Sequence, residues 1–170
     1  MSIDSTSFRR TLGQFATGVT VVTTRDASGR PLGLTVSAFC SVSLHPPLVL
    51  VCVDHRAEAN AGMRESGLFA VSVLGEEQEA VSRRFAAPGR AKLEGFPFVD
   101  GKHGLPLVPG ALAHVECRVR SFHGEGDHAV WVGEVRSLSA HPGRPLLYHS
   151  GSYRTLDAAP PSGKGGGDRL

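Results

Sequence analysis

Residues 111–135 read ALAHVECRVRSFHGEGDHAVWVGEV, and the period of this stretch decides the fold. From Ala111 to Phe122, Val115, Cys117 and Val119 fall on one side, and His114, Glu116, Arg118 and Arg120 on the other. That period of two marks a half-buried strand. Gly124 to Asp127 supplies a turn, and the run from Ala129 to Val135 returns as an antiparallel partner. Strands over 111–122 and 127–138 would form the back wall of a sheet. Working outward, GVTVVTT (18–24) is β-branched and predicts a strand. Asp26-Ala27-Ser28-Gly29 predicts a turn, and Leu32 to Ser37 a returning strand. Leu48 to Val53 and Leu68 to Leu74 are continuous apolar runs that predict fully buried strands. Pro145 to Tyr148 is a last short piece that could close the sheet.

Helices are fewer. Phe8, Leu12 and Phe15 share one face of a helix starting near Ser5 or Ser7, either of which could be its N-cap. Ala57 to Ser66 is a weaker candidate. Glu76 to Phe85 has acids in its first turn and Arg83 and Arg84 in its last, which suits the helix dipole. The 21 glycines and 11 prolines act as punctuation between short apolar runs. Seven or so strands with a few short helices predict a mainly β protein, a closed or split barrel rather than a parallel α/β sheet. Residues 1–157 are expected to form one domain. Residues 158–170 (AAPPSGKGGGDRL) are Pro- and Gly-rich and are expected to be disordered.

Composition excludes several classes. The chain has 170 residues, 18 basic and 16 acidic, for a net charge of +2, so no field argues for nucleic acid. The apolar runs are too short to span a membrane, and the N-terminus has no signal-peptide core. Cys40, Cys52 and Cys117 are widely spaced, which predicts free thiols and a cytoplasmic protein. Eight histidines form no HExxH or HxH pair, so no metal is expected. Neither a GxGxxG fingerprint nor a GxSxG elbow is present.

Three segments carry candidate chemistry. GLTVSAFCSVSLHPP (33–47) is dense in small hydroxyl residues between two apolar strands. It would give a flat heterocycle close backbone amides and short hydroxyls; taken alone it also reads as a Ser/Thr-rich edge strand and loop. Pro46-Pro47 reads as a rigid lead into the next strand. Gly126-Asp127-His128 sets His128 at the mouth of a strand, where it could meet a ligand or be an ordinary turn histidine. Arg83-Arg84-Phe85 ends a helix, where its charges could serve a ligand or only the dipole.

The ordered set FRRTLGQFATGVTVVTT, GLTVSAFCSVSLHPPLVLVCVD, SGLFAVSVLGEEQEAVSRRFA, GDHAVWVGEV and PLLYHSGSYRTL, spanning Phe8 to Leu156, resembles the flavin reductase-like family. These are the small reductase components of two-component flavin-dependent monooxygenases. The resemblance implies an FMN-binding split barrel, a homodimer, and hydride transfer from NADH or NADPH to FMN, or FAD, for a partner monooxygenase. It also leaves room for two related readings: FMN held as a prosthetic group for another reaction, or a non-catalytic flavin- or haem-binding barrel. By the same resemblance Thr35, Val36, Ser37 and Ala38 contact the isoalloxazine, and Cys52, Val53 and Asp54 line it. Arg84 and Phe85 lie beside the flavin. His128 faces the nicotinamide, as a positioning or electrostatic group, with Tyr148 and Tyr153 near it. The flavin phosphate falls on His55 to Asn60, where Ala59 replaces the usual hydroxyl and Glu58 brings a negative charge. Arg56, Asn60, Ser41 or Arg84 would compensate. Such chemistry demands no protein nucleophile or metal, because the cofactors carry it.

Overall fold

The computed structural model describes residues 3–156. The expected disordered tail, 158–170, lies outside them. The chain opens on α1 (Ser5–Leu12), and its cap is Asp4 rather than Ser5 or Ser7. The Asp4 carboxylate accepts from the amides of Thr6 and Ser7 at 3.0 and 2.9 Å. A carboxylate at this position satisfies two orphan amides and meets the positive end of the helix dipole.

The remaining elements follow in order. They are β1 (Thr17–Gly18), β2 (Thr20–Arg25), β3 (Pro31–Val36), β4 (Phe39–Leu44) and β5 (Pro47–Asp54), then α2 (Ala59–Ser66) and β6 (Leu68–Val73). A 3₁₀ turn at Glu76–Gln78 leads into α3 (Glu79–Ala86), so the helix expected from Glu76 to Phe85 begins as a tighter turn. After it come β7 (Val99–Asp100), β8 (Pro106–Leu107), β9 (Ala113–Glu125), β10 (His128–Ala140), β11 (Leu147–His149) and β12 (Ser152–Arg154). The predicted back-wall strands are therefore β9 and β10, which run three and two residues past their expected ends at 122 and 138.

Seven strands form one antiparallel sheet in the order β3-β2-β6-β9-β10-β5-β4. β3 and β4 occupy its opposite edges, yet only Ser37 and Ala38 separate them in sequence. A flat sheet would set those edges about 29 Å apart at the usual strand spacing. The link from Val36 to Phe39 reaches at most about 11 Å. The sheet must therefore curl until its edges meet. Ala38 ties the join to β5 by accepting from the Cys52 amide at 3.0 Å. No ladder joins β3 to β4, so the barrel is closed by the chain and split along its seam.

Alternation fills the interior. Val22, Val36, Val49, Val51, Val53, Phe69, Val71, Cys117 and Trp131 point inward, and Met63 of α2 plugs one end. Gly62 allows that plug to seat, since a Cβ there would come within 2.8 Å of Leu32 Cδ1 and 3.0 Å of the Arg25 carbonyl. On the outer face of β2, Val19 and Val21 pack under Phe85 of α3 with Leu74, Val108 and Leu146.

Three expectations are corrected. The run 48–53 is not buried on both faces: Val49, Val51 and Val53 enter the core, while Leu48, Leu50 and Cys52 lie half-covered on the other side. The piece 145–148 does not close the main sheet. β11 pairs with β1 and β12 in a separate three-stranded sheet instead. Glu116, placed on the open face of β9 by its alternation, is buried. Its two carboxylate oxygens accept from the amides of Lys102 and His103 at 2.9 and 2.8 Å, which fastens the loop carrying β7 and β8 over the sheet.

Candidate active site

A cavity of about 490 Å³ opens between the outer face of β3, the segment following β5, and the loop after α3. Leu32, Gly33 and Leu34 form one wall, Asp54, Arg56, Ala57, Glu58 and Ala59 a second, and Pro88, Gly89, Arg90, Lys92 and Leu93 a third. Phe85 forms its floor and is fully buried in an aromatic group with Phe96 and Phe98, at centroid distances of 4.9 and 5.7 Å. Gly33 admits that ring, because a Cβ there would sit 3.1 Å from Phe85 Cε1.

Three cations and two carboxylates share these walls. Arg56 Nη2 lies 2.6 Å from Asp54 Oδ2, and the Arg56 amide also donates to Asp54 Oδ1. Hydrogen bonds from Arg56 hold the Asp54 carboxyl far below the ordinary carboxylate range. Arg90 Nε donates to Glu58 Oε2 at 2.5 Å, and its Nη1 lies 3.3 Å from Asp26 Oδ2. Glu58 therefore does not stand as a bare negative charge. Lys92 forms no ion pair among the described residues and donates to the Phe85 carbonyl at 3.2 Å. Burial lowers its pKa from the ordinary lysine value, against the pull of Glu58. An ammonium group without a carboxylate partner, on the wall of a cavity with two guanidinium groups, is the donor set a phosphate needs.

Of the residues singled out in the sequence, Asp54, Arg56, Glu58, Ala59 and Phe85 line this cavity. Ser37, Ala38 and Ser41 are exposed beside the seam, while the side chains of Val36 and Val53 turn into the core. Thr35 spends its hydroxyl proton on the Ser82 carbonyl at 2.7 Å. Asn60 is no phosphate ligand here. Its Nδ2 donates to the Asp54 carbonyl at 2.6 Å and its Oδ1 accepts from Trp131 Nε1 at 2.9 Å, so the buried amide locks α2 to the barrel. Arg84 also faces away: it donates to the carbonyls of Lys92 and Glu94 and braces the loop that carries Arg90 and Lys92. Those two cations were not found from sequence. Their only signal is a pair of basic residues in the turn-rich run AAPGRAKL (86–93), with no period to place them.

His128 opens β10 directly across from Asp54, the last residue of β5. Its Nδ1 lies 2.6 Å from Asp127 Oδ1. A carboxylate can only accept, so Nδ1 carries the proton and Nε2 is the free ring nitrogen. That same bond lowers the Asp127 pKa. Tyr148 and Tyr153 meet edge to face, with centroids 5.2 Å apart, and together line a second hollow of about 340 Å³. Arg83 lies 4.8 Å over the Tyr153 ring, and Ser82 Oγ is 2.8 Å from its hydroxyl. Ala86 and Ala87 border both hollows, so the end of α3 is their shared wall. Among the described residues no cluster of three His, Cys, Asp or Glu side chains could hold a metal, and no helix is long and apolar enough to cross a membrane.

A curled, seam-closed antiparallel barrel with a cation-walled cavity beside its seam defines a nucleotide-binding split barrel. The chain belongs to the family described as "Flavin reductase like domain", whose model matches residues 12–157. It is 41% identical over 157 residues to the reductase subunit HsaB of a flavin-dependent monooxygenase from Rhodococcus jostii, covering 92% of this chain and 80% of that one. It is 43% identical over 155 residues to an NADH-dependent flavin reductase from a Rhodococcus species, covering 88% and 85%. Among solved structures, a homologue of nitrilotriacetate monooxygenase component B from Mycobacterium thermoresistibile superposes with a TM-score of 0.87 at 37% identity, covering 98% of this chain and 96% of the other.

Proposed function

We propose that this chain is an NADH-dependent flavin reductase that hands reduced flavin to a separate monooxygenase. One observation carries the reading: the cavity of about 490 Å³ beside the barrel seam, with a lysine free of any carboxylate partner on its wall, in a chain of this family. FMN fits the donor set, and FAD shares the same phosphate chemistry. A bound flavin supplies a two-electron acceptor for the nicotinamide hydride.

The residues of this chain bind, orient and exclude water. Lys92 and Arg90, with Arg56, hold the phosphate. As edge strands, β3 and β4 leave alternate backbone amides unpaired, and together with Ser37 and Ala38 they offer donors to the heterocycle's rim. Cys52 and Asp54 flank it on β5. His128, its ring fixed through Asp127, presents Nε2 to the nicotinamide nucleotide, and Tyr148 and Tyr153 shape the approach on the other side of α3. Holding both partners in register provides most of the acceleration such a transfer requires. NADH is taken as the donor over NADPH because relatives of this chain are named NADH-dependent flavin and FAD reductases.

The same reading includes a cytoplasmic homodimer. An isolated eight-residue helix is marginal in water, and α1 buries none of its residues. Phe8 and Leu12 stay more than half exposed, as does Phe15 just beyond the helix. A second copy of the chain would cover them.

The test is NADH oxidation followed at the nicotinamide absorbance band, with and without added FMN. Oxidation that needs added flavin is expected. A protein that neither quenches flavin fluorescence nor oxidises NADH overturns the reading; one that binds flavin but ignores NADH points to the non-catalytic barrel instead.

A further inference from the structure

The ion pair between Glu58 and Arg90 stands where a phosphate would need that guanidinium. Glu58 precedes α2 and caps nothing with its side chain. It reaches Arg90 Nε from across the cavity at 2.5 Å. Arg90 is held on its other side by Asp26, whose carboxylate also accepts from Ser28 and Arg30. Asp26 is thus committed to its own turn, and Glu58 is the exchangeable partner. Both members of the pair are about half exposed, at 45% and 51%. Exposed pairs of this kind are worth a factor of about five or less in an equilibrium, so an incoming phosphate dianion can displace the carboxylate, though at a cost. Lys92, with no carboxylate to give up, presents no such barrier.

We propose that Glu58 is a built-in competitor for Arg90 that weakens the site's preference for phosphorylated flavins over riboflavin. This deepens the flavin-binding reading above and rests on it. With Glu58 in place, Arg90 serves the carboxylate in the empty site and the phosphate in the filled one. The phosphate then gains only the difference between the two. The outcome is moderate affinity for FMN, which suits a flavin that must leave. Riboflavin has no phosphate and does not sense the exchange.

The experiment is fluorescence-quenching titration of the full chain, the variant Glu58→Gln, and the double variant Glu58→Gln/Arg90→Gln, each with FMN and with riboflavin. Inorganic phosphate serves as a competitor against FMN. Glu58→Gln is expected to tighten FMN up to about fivefold, which is about 1 kcal/mol, to leave riboflavin within twofold, and to make phosphate a stronger competitor. The double variant is expected to lose that gain. Equal changes for FMN and riboflavin, or none for FMN, overturn the proposal while the flavin site stands. A parent chain that binds neither flavin overturns both. Unchanged thermal midpoints confirm that the variants are folded; if Glu58→Gln is not, Glu58→Ala is read against the same criteria.

Discussion

The barrel is expected to stay intact in His128→Ala, because among the described residues the ring is hydrogen-bonded only to the exposed Asp127 and is itself half-buried at the mouth of β10. His128→Ala is expected to raise KM for NADH roughly fivefold, the equivalent of one net hydrogen bond of about 1 kcal/mol, while the Kd for FMN moves less. Steady-state kinetics with an unchanged KM for NADH would remove His128 from the site. Asn60 is the opposite case. Asn60→Ala orphans the buried Trp131 indole N–H, worth about 1–3 kcal/mol when left unpaired, while the Asp54 carbonyl keeps the Ala57 amide at 2.9 Å. A large drop in the urea midpoint and a shift in the emission of the lone tryptophan are expected together. Lys92 sets a pH limit. Its pKa lies below the ordinary lysine value through burial, and only its charged form attracts phosphate. FMN affinity should therefore fall as pH rises through that lowered value, with riboflavin affinity flat. A flat FMN profile well above neutrality would show that Lys92 does not hold the phosphate.

At the scale of elements, Gly133 is the tight point of β10. A Cβ there would stand 2.4 Å from Phe69 Cζ and 2.8 Å from Cys117 Cβ, where β10 slips register against β9. Gly133→Ala is expected to cost about 1–3 kcal/mol of overpacking, read as a lower urea midpoint at unchanged slope. Elements with local signals were legible in the sequence. The hairpin of β2 and β3 turns at Asp26, whose carboxylate takes the amides of Ser28 and Arg30, and closes on Gly29 at φ +80°. The alternation of Val115, Cys117 and Val119 gave β9. What failed depended on distant partners. Nothing local tells that a loop will cover Glu116, that Asn60 will meet Trp131 seventy-one residues away, or that Arg90 and Lys92 will face residues 54–59. The hydroxyl-rich run spans the join of β3 and β4, yet Thr35 is spent on α3, and the cationic wall comes from a loop without period.

At the scale of the whole molecule, α1, Phe15 and the outer face of β4 present apolar surface that the other described residues do not cover. Val42 and Leu44 are 48% and 62% exposed. If a second copy covers the α1 face, the double variant Phe8→Glu/Phe15→Glu will run as a monomer by light scattering while the parent runs as a dimer. A monomeric parent would assign that face elsewhere.

The two residues between β3 and β4 also decide how the slot beside them yields. Elsewhere in the barrel, neighbouring strands can part only by breaking a row of backbone bonds. At Ser37–Ala38 they are joined by the chain itself and by a single bond, from the Cys52 amide to the Ala38 carbonyl, so widening the gap there costs that bond and a few dihedral rotations. Bulkier ring systems in the slot should therefore be admitted at the cost of that one bond rather than of a whole ladder.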